Sequence, residues 1–443
     1  MARVTASLHH VEGTEMHSRR PLTTALLAVV ALLTSACGNG SDESTSQVES
    51  AEPGDTTTTA PAGHQVDSGP PCEGTPLEDP GDQSLDDEDA LVPYGLAVDG
   101  EGTIYFSLSN QIACIDPNGA MYVIAGSEEA GYSGDGGPAS EALLADALGL
   151  ALGEDGTLHI ADNGNNVIRS IGPDGVIQTI TGGGNQPPLG VDAVPAEELG
   201  EFDGIRGVGA GRDGTVYVTD TGLGLVLEID GDGNATDISG TRAEYYPDEG
   251  EIADDPAAGA VVLSEPEVTR ADPQGAAVIV DTENQRLLKV EEDGTFEVLA
   301  GALECCGVIS EDGAQLNDEP LSYPNDMTWD AEGRLVIADT QNARVVRQME
   351  DGSFETLAID EYSPLITDGA PPVAPDSYEP SDESVPYDYG GSESQVPALT
   401  LNLGYPSGVA IDARGRLVIA DSEGARIYRI DDKGSVETLF GGD

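Results

Sequence analysis

The feature that most constrains the fold is a sequence pattern that recurs six times between residues 93 and 441. The copies begin at about Pro93, Ala147, Ile205, Pro266, Pro324 and Pro406. Each copy holds four short apolar segments separated by glycine-containing turns, as in GLAVDGEGTIYFS at 95–107. Such alternating segments bounded by glycine predict β-strands joined by hairpins.

Four-stranded antiparallel units repeated six times predict an all-β fold, a six-bladed β-propeller that spans residues 89–443. One such sheet cannot bury both faces alone, whereas blades packed in a ring can. Aromatic residues make up only 5% of the chain, so the core must be built from aliphatic side chains. The first strand of each unit is the smallest and most apolar, which predicts that it lines a narrow central channel.

The repeats share the pattern P-x-G-[LV]-A-[VI]-D followed by G-x-L-x-I-A-D-x-x-N-x-R-[IV]. This pattern resembles the NHL repeat family and is clearest in repeats two, five and six. The resemblance implies a six-bladed propeller of a kind used in extracellular domains, bacterial sensors and a few enzymes, so it does not settle the function. Repeat one lacks the turn aspartate, and repeat four has Glu267-Val268 in place of x-Gly.

The start of the chain reads as a targeting segment. In MHSRRPLTTALLAVVALLTSAC, two arginines precede an apolar run that is too short to span a bilayer comfortably. Residues 1–37 are therefore predicted to be a signal peptide, with Met16 as a candidate start. Small residues before Cys37 resemble a bacterial lipoprotein signal, which predicts lipidation at Cys37; plain signal cleavage is the alternative.

Residues 38–88 are polar, acidic and rich in Ser, Thr and Pro, which predicts a disordered tether. The protein is expected to be exported, and either lipid-anchored to the outer face of the cell membrane or secreted. Contact with the membrane would then be through the lipid anchor only, and a monomer is expected.

The net charge of −64 argues against nucleic-acid binding, which relies on cationic contacts to phosphate. We interpret the excess of acidic residues as a feature that keeps the protein soluble. The alternative interpretation is a surface that binds cations.

An aspartate follows strand two in five repeats and is expected to be structural, accepting backbone N–H groups of the next turn. These residues are Asp162, Asp220, Asp281, Asp339 and Asp421. The arginines of the same motif, Arg286, Arg344 and Arg426, are expected to pair with acidic neighbours between blades.

Histidine chemistry is unpromising, because His159 is the only histidine beyond the tether and replaces Tyr105 and Tyr217 of other repeats. Propeller lyases that resemble this fold depend on several histidines, so that class is excluded.

A second class of enzyme is the six-bladed lactonase of the gluconolactonase type, which holds one divalent cation at the channel mouth. Pro324-Asn325-Asp326 resembles its Pro-Asn-Asp segment, which makes Asn325 and Asp326 candidate Ca²⁺ ligands. No other cofactor is expected.

Cysteines in an exported chain predict disulfides. With Cys37 lipidated, Cys72, Cys114, Cys305 and Cys306 remain, and three pairings are possible. We favour Cys72 with Cys114, which would staple the tether to the first blade.

The loop GYSGDGGPA at 131–139 raises the question of a phosphate site, but no helix is signalled behind it. Similar but less complete versions of this loop sequence occur between other repeats, which indicates that the loop turns the chain from one blade to the next. Tyr132 and Asp135 remain candidates for a ligand rim. A long acidic connection at about 360–403 is either a solvated insertion or a recognition element, with the further rim candidates Tyr362, Tyr378, Tyr387 and Tyr389.

The leading expectation is therefore a binding or sensor module for a protein, peptide or glycan in the cell envelope. A Ca²⁺-dependent lactonase and a structural domain without a specific ligand are the alternatives.

Overall fold

The computed structural model describes residues 68–81, 91–239, 261–301, 312–318, 320–360, 399–401 and 403–442. They all belong to one compact unit that lies within residues 59–443. The predicted signal peptide, Cys37 and most of the predicted tether lie outside the described residues. Among the residues that are described, no helix is long and apolar enough to cross a membrane.

The described residues form six sheets, and each sheet contains four consecutive antiparallel strands. The strands of blades one to three are Pro93–Val98, Ile104–Leu108, Gln111–Ile115 and Met121–Gly126; Ala147–Leu152, Leu158–Asp162, Val167–Ile171 and Ile177–Thr181; Ile205–Ala210, Val216–Asp220, Leu225–Ile229 and Asn234–Asp237. The strands of blades four to six are Pro266–Ala271, Ala277–Asp281, Arg286–Val290 and Phe296–Ala300; Asp326–Trp329, Leu335–Asp339, Arg344–Gln348 and Phe354–Asp360; Pro406–Ile411, Leu417–Asp421, Arg426–Ile430 and Val436–Phe440. The predicted six-bladed all-β propeller is confirmed.

Short 3₁₀ turns lie in the connections between strands. Their bounds are Ala139–Glu141, Asn163–Asn165, Ala196–Glu198, Leu316–Asp318 and Thr340–Asn342.

The first strands of neighbouring blades pack against each other around the ring, and blade six closes onto blade one. The glycine of the P-x-G pattern permits this approach. A Cβ atom on Gly95 would lie 2.3 Å from the Leu148 carbonyl oxygen, and one on Gly408 would lie 2.7 Å from that of Tyr94. Only a residue without a side chain fits there, so this glycine sets the spacing of the blades at the centre.

The core lies between the blades. Strand two is buried at all five positions in every blade, because both of its faces meet neighbouring sheets. Between blades two and three, for example, Ile168 and Leu199 pack against Val208 and Val218. Burial of such side chains stabilises the fold by about 25 cal/mol for each Å² of apolar surface removed from water.

Several outer strands are covered by a further segment of chain. Thr75–Pro76 pairs with the outer strand of blade one, and Val194–Pro195 pairs with that of blade three. In blade two, Pro138 of the glycine loop bridges to Val176, next to the outer strand. The connections therefore do more than turn the chain, since they also cover strand edges that would otherwise be open to pairing with other chains.

Residues 68–81 lie against blade one, although the sequence assigned them to the tether. Cys72 forms a disulfide with Cys114 in strand three, as predicted, with the two Cα atoms 5.8 Å apart. The Asp79 carboxylate also accepts the Gly441 N–H at 3.0 Å, which links this segment to the end of blade six. Cys305 and Cys306 lie outside the described residues.

Candidate functional site

The five turn aspartates hold the chain where it enters strand one of their own blade. The carboxylates of Asp162, Asp281 and Asp339 accept N–H groups from Ala145, Ser264 and Ser322 at 2.7–2.8 Å. The same contact in blades three and six joins Asp220 to Asp203 and Asp421 to Tyr405. Acceptance from the following turn, which the sequence suggested, occurs as an additional contact at Leu223 and Gly424.

The motif arginines extend this arrangement inside the blade. The Nε atoms of Arg286 and Arg344 donate to Asp281 and Asp339 at 2.8 Å and 2.7 Å. The ion pairs described for these two arginines lie within one blade, because the turn aspartate five residues earlier on the adjacent strand is within reach; pairing between blades stays a prediction.

Threonine hydroxyls at the ends of second strands tie neighbouring blades together. Thr221, Thr282 and Thr340 donate to the carbonyl groups of Pro266, Pro324 and Pro406 at 2.7–2.8 Å. Each bond fixes the residue at which the first strand of the next blade begins. The residue after that proline is thereby placed at the channel mouth, which we define as the channel end where the first strands begin.

The x residues of the six P-x-G segments surround this mouth. They are Tyr94, Leu148, Arg206, Glu267, Asn325 and Ser407. Arg206 is exposed, Tyr94 and Leu148 are half-buried, and the other three are buried. Because x is the variable position of the repeat, the mouth carries a set of side chains that the repeat itself does not dictate.

Side chains from different blades meet across the mouth. The Asn325 amide donates to the Tyr94 hydroxyl at 3.1 Å, and Tyr94 lies 3.5 Å from Glu267 on the opposite blade. Arg206 donates to the Glu267 carboxylate at 2.8 Å. Tyr405, just before strand one of blade six, is half-buried beside Asn325.

Burial shapes the proton affinities of these groups. It raises the pKa of Tyr94 well above its usual range, with a further contribution from the Glu267 carboxylate. Burial also raises the pKa of Glu267, against the opposing effect of the Arg206 guanidinium. The phenol is therefore uncharged at neutral pH, and the Arg206 guanidinium favours the charged form of Glu267.

Sequence reasoning had named only Asn325 among these mouth residues. It noted Glu267 as a departure from x-Gly without assigning it a role, and it passed over Tyr94, Arg206 and Tyr405. The available signal was the chemistry of the x positions, which becomes informative once the six are known to surround one opening.

Asp326, the other predicted Ca²⁺ ligand, is held by an arginine of the adjacent blade. The Arg270 Nε and Nη2 atoms donate to its two carboxylate oxygens at 2.8 Å and 3.0 Å. The same carboxylate accepts the Val409 N–H of blade six at 3.0 Å. Asp326 replaces the glycine of the repeat, so blades four and five are joined here by an ion pair.

This arrangement does not fit a divalent cation at Asp326, because both oxygens already accept hydrogen bonds from a cation and a backbone N–H. The neighbouring carboxylate, Glu267, is likewise paired with Arg206. Within the described ranges, no three His, Cys, Asp or Glu side chains are grouped to hold a metal ion. The metal assignment to Asn325 and Asp326 stays a prediction, and it would require these pairs to break.

The glycine loop is built around the buried side chain of Arg169. Arg169 donates to Asp135 at 2.7 Å and to the Ser133 carbonyl at 3.1 Å. Its guanidinium carbon lies 5.1 Å from the centre of the Tyr132 ring. Tyr132 is half exposed, and its hydroxyl forms a hydrogen bond with the Thr179 hydroxyl. Both rim candidates of this loop therefore take part in internal contacts. The four other rim tyrosines, at 362, 378, 387 and 389, lie outside the described residues.

His159 is buried, and the structure shows no hydrogen-bond partner for its Nδ1 atom. Burial lowers the pKa of His159 to about 4. The side chain is therefore neutral at pH 7 and packed at the position that tyrosine occupies in blades one and three.

The opposite face of the propeller carries two concave regions. A groove of about 1050 Å³ between blades three and four has several carboxylates in its lining, including Glu228, Glu291 and Asp293, together with Lys289 and Phe296. A cleft of about 50 Å³ between blades six and one is lined by Arg414, Arg416 and Arg429. The groove also combines an aromatic, an amide and oppositely charged groups, but none of its lining residues lies at an x position of the repeat.

The comparison with family models gives the repeat its name. The model described as NHL repeat matches residues 403–428, which contain strands one and two of blade six. Blade six of this six-bladed β-propeller therefore contains a repeat of the NHL type. The resemblance found in the sequence is confirmed.

Relatives of this chain are distant. Human Teneurin-4 is 24% identical over 228 residues, which cover 48% of this chain, and mouse Teneurin-1 is 25% identical over 232 residues with the same coverage. The match spans only 8% of the length of either teneurin.

A solved structure of a protein of unknown function from Bacteroides thetaiotaomicron has the same fold. It is 15% identical, with a TM-score of 0.50, and the match covers 84% of this chain and 75% of that one. At this identity the likeness shows the fold alone.

Proposed function

We propose that the chain is an exported binding module that takes its ligand, a glycan, peptide or protein of the cell envelope, at the channel mouth. The observation that carries this proposal is the convergence of chemically unlike side chains at the variable x positions. Tyr94, Arg206 and Asn325 come from three blades, and no turn or blade contact of the repeat requires those residue types there. Aromatic and arginine side chains are also enriched in recognition surfaces.

Export and anchoring form part of the proposal. The disulfide between Cys72 and Cys114 supports an oxidising compartment, since such bonds are rare in the cytosol. Lipidation at Cys37 would attach the propeller to the outer face of the membrane. Replacement Cys37→Ala should then move the protein from the membrane fraction to the soluble fraction, whereas an unchanged distribution would refute the lipid anchor.

The binding face is tested by blocking the mouth. The full chain is screened against glycan and peptide arrays as the wild type, as Leu148→Trp at the mouth and as Ala413→Trp on an exposed turn of the opposite face. We expect ligands of the wild type to be lost from Leu148→Trp and kept by Ala413→Trp. Retention by the mouth variant would refute the proposed face. No specific ligand for any form would favour the structural-domain alternative.

The lactonase alternative depends on calcium. Calorimetric titration of the wild type with Ca²⁺ is expected to show only weak, diffuse binding to surface carboxylates, because Arg206 and Arg270 already pair with the carboxylates near Asn325. A single tight site that disappears in Asp326→Asn would contradict this and favour the lactonase.

A further inference from the structure

Arg206 differs from the other ion-paired cations of the described residues in its exposure. Its side chain is 44% exposed, whereas no other arginine or lysine in the described ion pairs exceeds 26%. Arg169, Arg286 and Arg344, for example, are at most 2% exposed. The other paired cations are thus largely covered by the fold, while Arg206 is accessible to a ligand from solution.

Arg206 also has hydrogen-bonding capacity left over. Within the described structure its guanidinium donates one hydrogen bond, from Nη1 to the Glu267 carboxylate. A guanidinium carries five N–H donors in a planar fork that matches a carboxylate in two-pronged geometry. The edge of Arg206 that does not contact Glu267 can therefore pair with a second carboxylate, supplied by a ligand.

The rest of the mouth is suited to hydroxyl groups. The Glu267 carboxylate is buried and its second oxygen has only the 3.5 Å contact with Tyr94, so it can accept a better hydrogen bond. Tyr94 and Tyr405 are half-buried aromatic residues at the same opening. Acceptors beside aromatic rings match the hydroxyl-bearing and apolar surfaces of a sugar ring.

A ligand that satisfies both features must carry a carboxylate for Arg206 and hydroxyl donors for Glu267. We propose that the mouth binds an oligosaccharide containing uronic acid units, with Arg206 as the residue that selects the carboxylate. An acidic peptide supplies the carboxylate with mainly N–H donors beside it, whereas a uronic acid unit carries its carboxylate and its hydroxyl donors on one ring. The inference rests on the proposed function, since it names the ligand class of the same mouth.

Arg270 contributes to this selectivity from inside the channel. By pairing with Asp326 it keeps that carboxylate from repelling an anionic ligand or recruiting a cation. Glu265, an exposed carboxylate beside Arg206, acts in the opposite direction, because its charge repels an anionic ligand. Removing the charge of Glu265 should therefore strengthen binding of an acidic sugar.

The test compares tetragalacturonate with its methyl ester, which differs in the carboxylate charge. Calorimetric titration is carried out on the full chain as wild type, Arg206→Gln, Arg206→Lys and Glu265→Gln. Arg414→Gln, an exposed arginine on the opposite face, is the matched control. Thermal unfolding followed by circular dichroism verifies that every variant is folded.

We expect the acid to bind the wild type at least about 10-fold more tightly than the ester, as befits a charge-assisted hydrogen-bond pair. Arg206→Gln should remove that preference, Arg206→Lys should keep part of it, and Glu265→Gln should increase it. Arg414→Gln should match the wild type. Equal affinity for acid and ester, an unchanged preference in Arg206→Gln, or no binding of either compound would overturn the inference.

The outcomes separate this inference from the proposed function. If a neutral glycan or an acidic peptide binds and is lost in Leu148→Trp, the mouth is the binding site and the uronic-acid assignment is wrong. If tetragalacturonate binds the wild type and binds Leu148→Trp equally well, the mouth itself is not the site and both proposals are refuted.

Discussion

The glycine loop at 131–139 and the channel mouth both belong to recurring parts of the chain, but their side chains have different roles. The loop looks like a site in the sequence, yet its side chains Tyr132 and Asp135 enclose the buried Arg169. The mouth looks like six ordinary repeat starts, yet it gathers unlike groups from different blades. Residues that agree with the repeat build the propeller, whereas Glu267 at a variable x position and Asp326 in place of the repeat glycine mark where it differs from a plain scaffold.

The largest loss of stability is expected when the buried pair of motif arginine and turn aspartate inside a blade is broken. Arg344→Met removes the positively charged partner of Asp339, and both side chains are at most 1% exposed. An unpaired buried carboxylate should lower the free energy of unfolding by about 3–5 kcal/mol. Urea unfolding measures the loss, with exposed Arg414→Met as the control. A change below about 1 kcal/mol would show that this architecture does not depend on the pair.

The next effect concerns the segment that covers blade one. Replacing both Cys72 and Cys114 with serine removes the disulfide and should lower stability by about 2–4 kcal/mol. The same urea titration measures it, and wild type treated with a reductant should match the double variant. Affinity at the mouth should be unaffected, because the disulfide lies in the outer part of blade one; a parallel loss of binding would couple the two regions.

Acid should destabilise blade two through His159. Its pKa of about 4 in the folded protein lies below the unfolded value of about 6.5, so the unfolded chain binds the proton more readily. The stability is unaffected above pH 6.5 and decreases as the pH falls from 6.5 to 4, with a loss of about 2.5 kcal/mol near pH 4.5. His159→Tyr, which restores the residue of blades one and three, should remove this component of the pH profile; an unchanged slope would contradict it.

The sequence carried most of the fold because its strand and turn signals recur in register in all six copies. It also gave the pairing of Cys72 with Cys114. It could not show which groups meet across the ring. Tyr94 and Asn325 are far apart in the sequence but 3.1 Å apart in space, and that distance depends on the closure of six blades.

The sequence singled out Asp326 but not Arg270, the residue that pairs with it. Arg270 lies in the first strand of the preceding blade, and the repeat pattern has no arginine at that position. Loop contacts such as Arg169 with Asp135 were hidden for a related reason, since the loop folds onto the blade that follows it.

The most direct measurement sets one tyrosine of the loop against one tyrosine of the mouth. Tyr132→Leu and Tyr405→Leu are compared for stability in urea and for affinity toward tetragalacturonate by calorimetry. We expect Tyr132→Leu to lose about 0.5–1 kcal/mol of stability with the Arg169 contact and to keep wild-type affinity. Tyr405→Leu should keep its stability and lose affinity. Lost affinity in Tyr132→Leu with wild-type affinity in Tyr405→Leu would place the site on the loop and contradict the account.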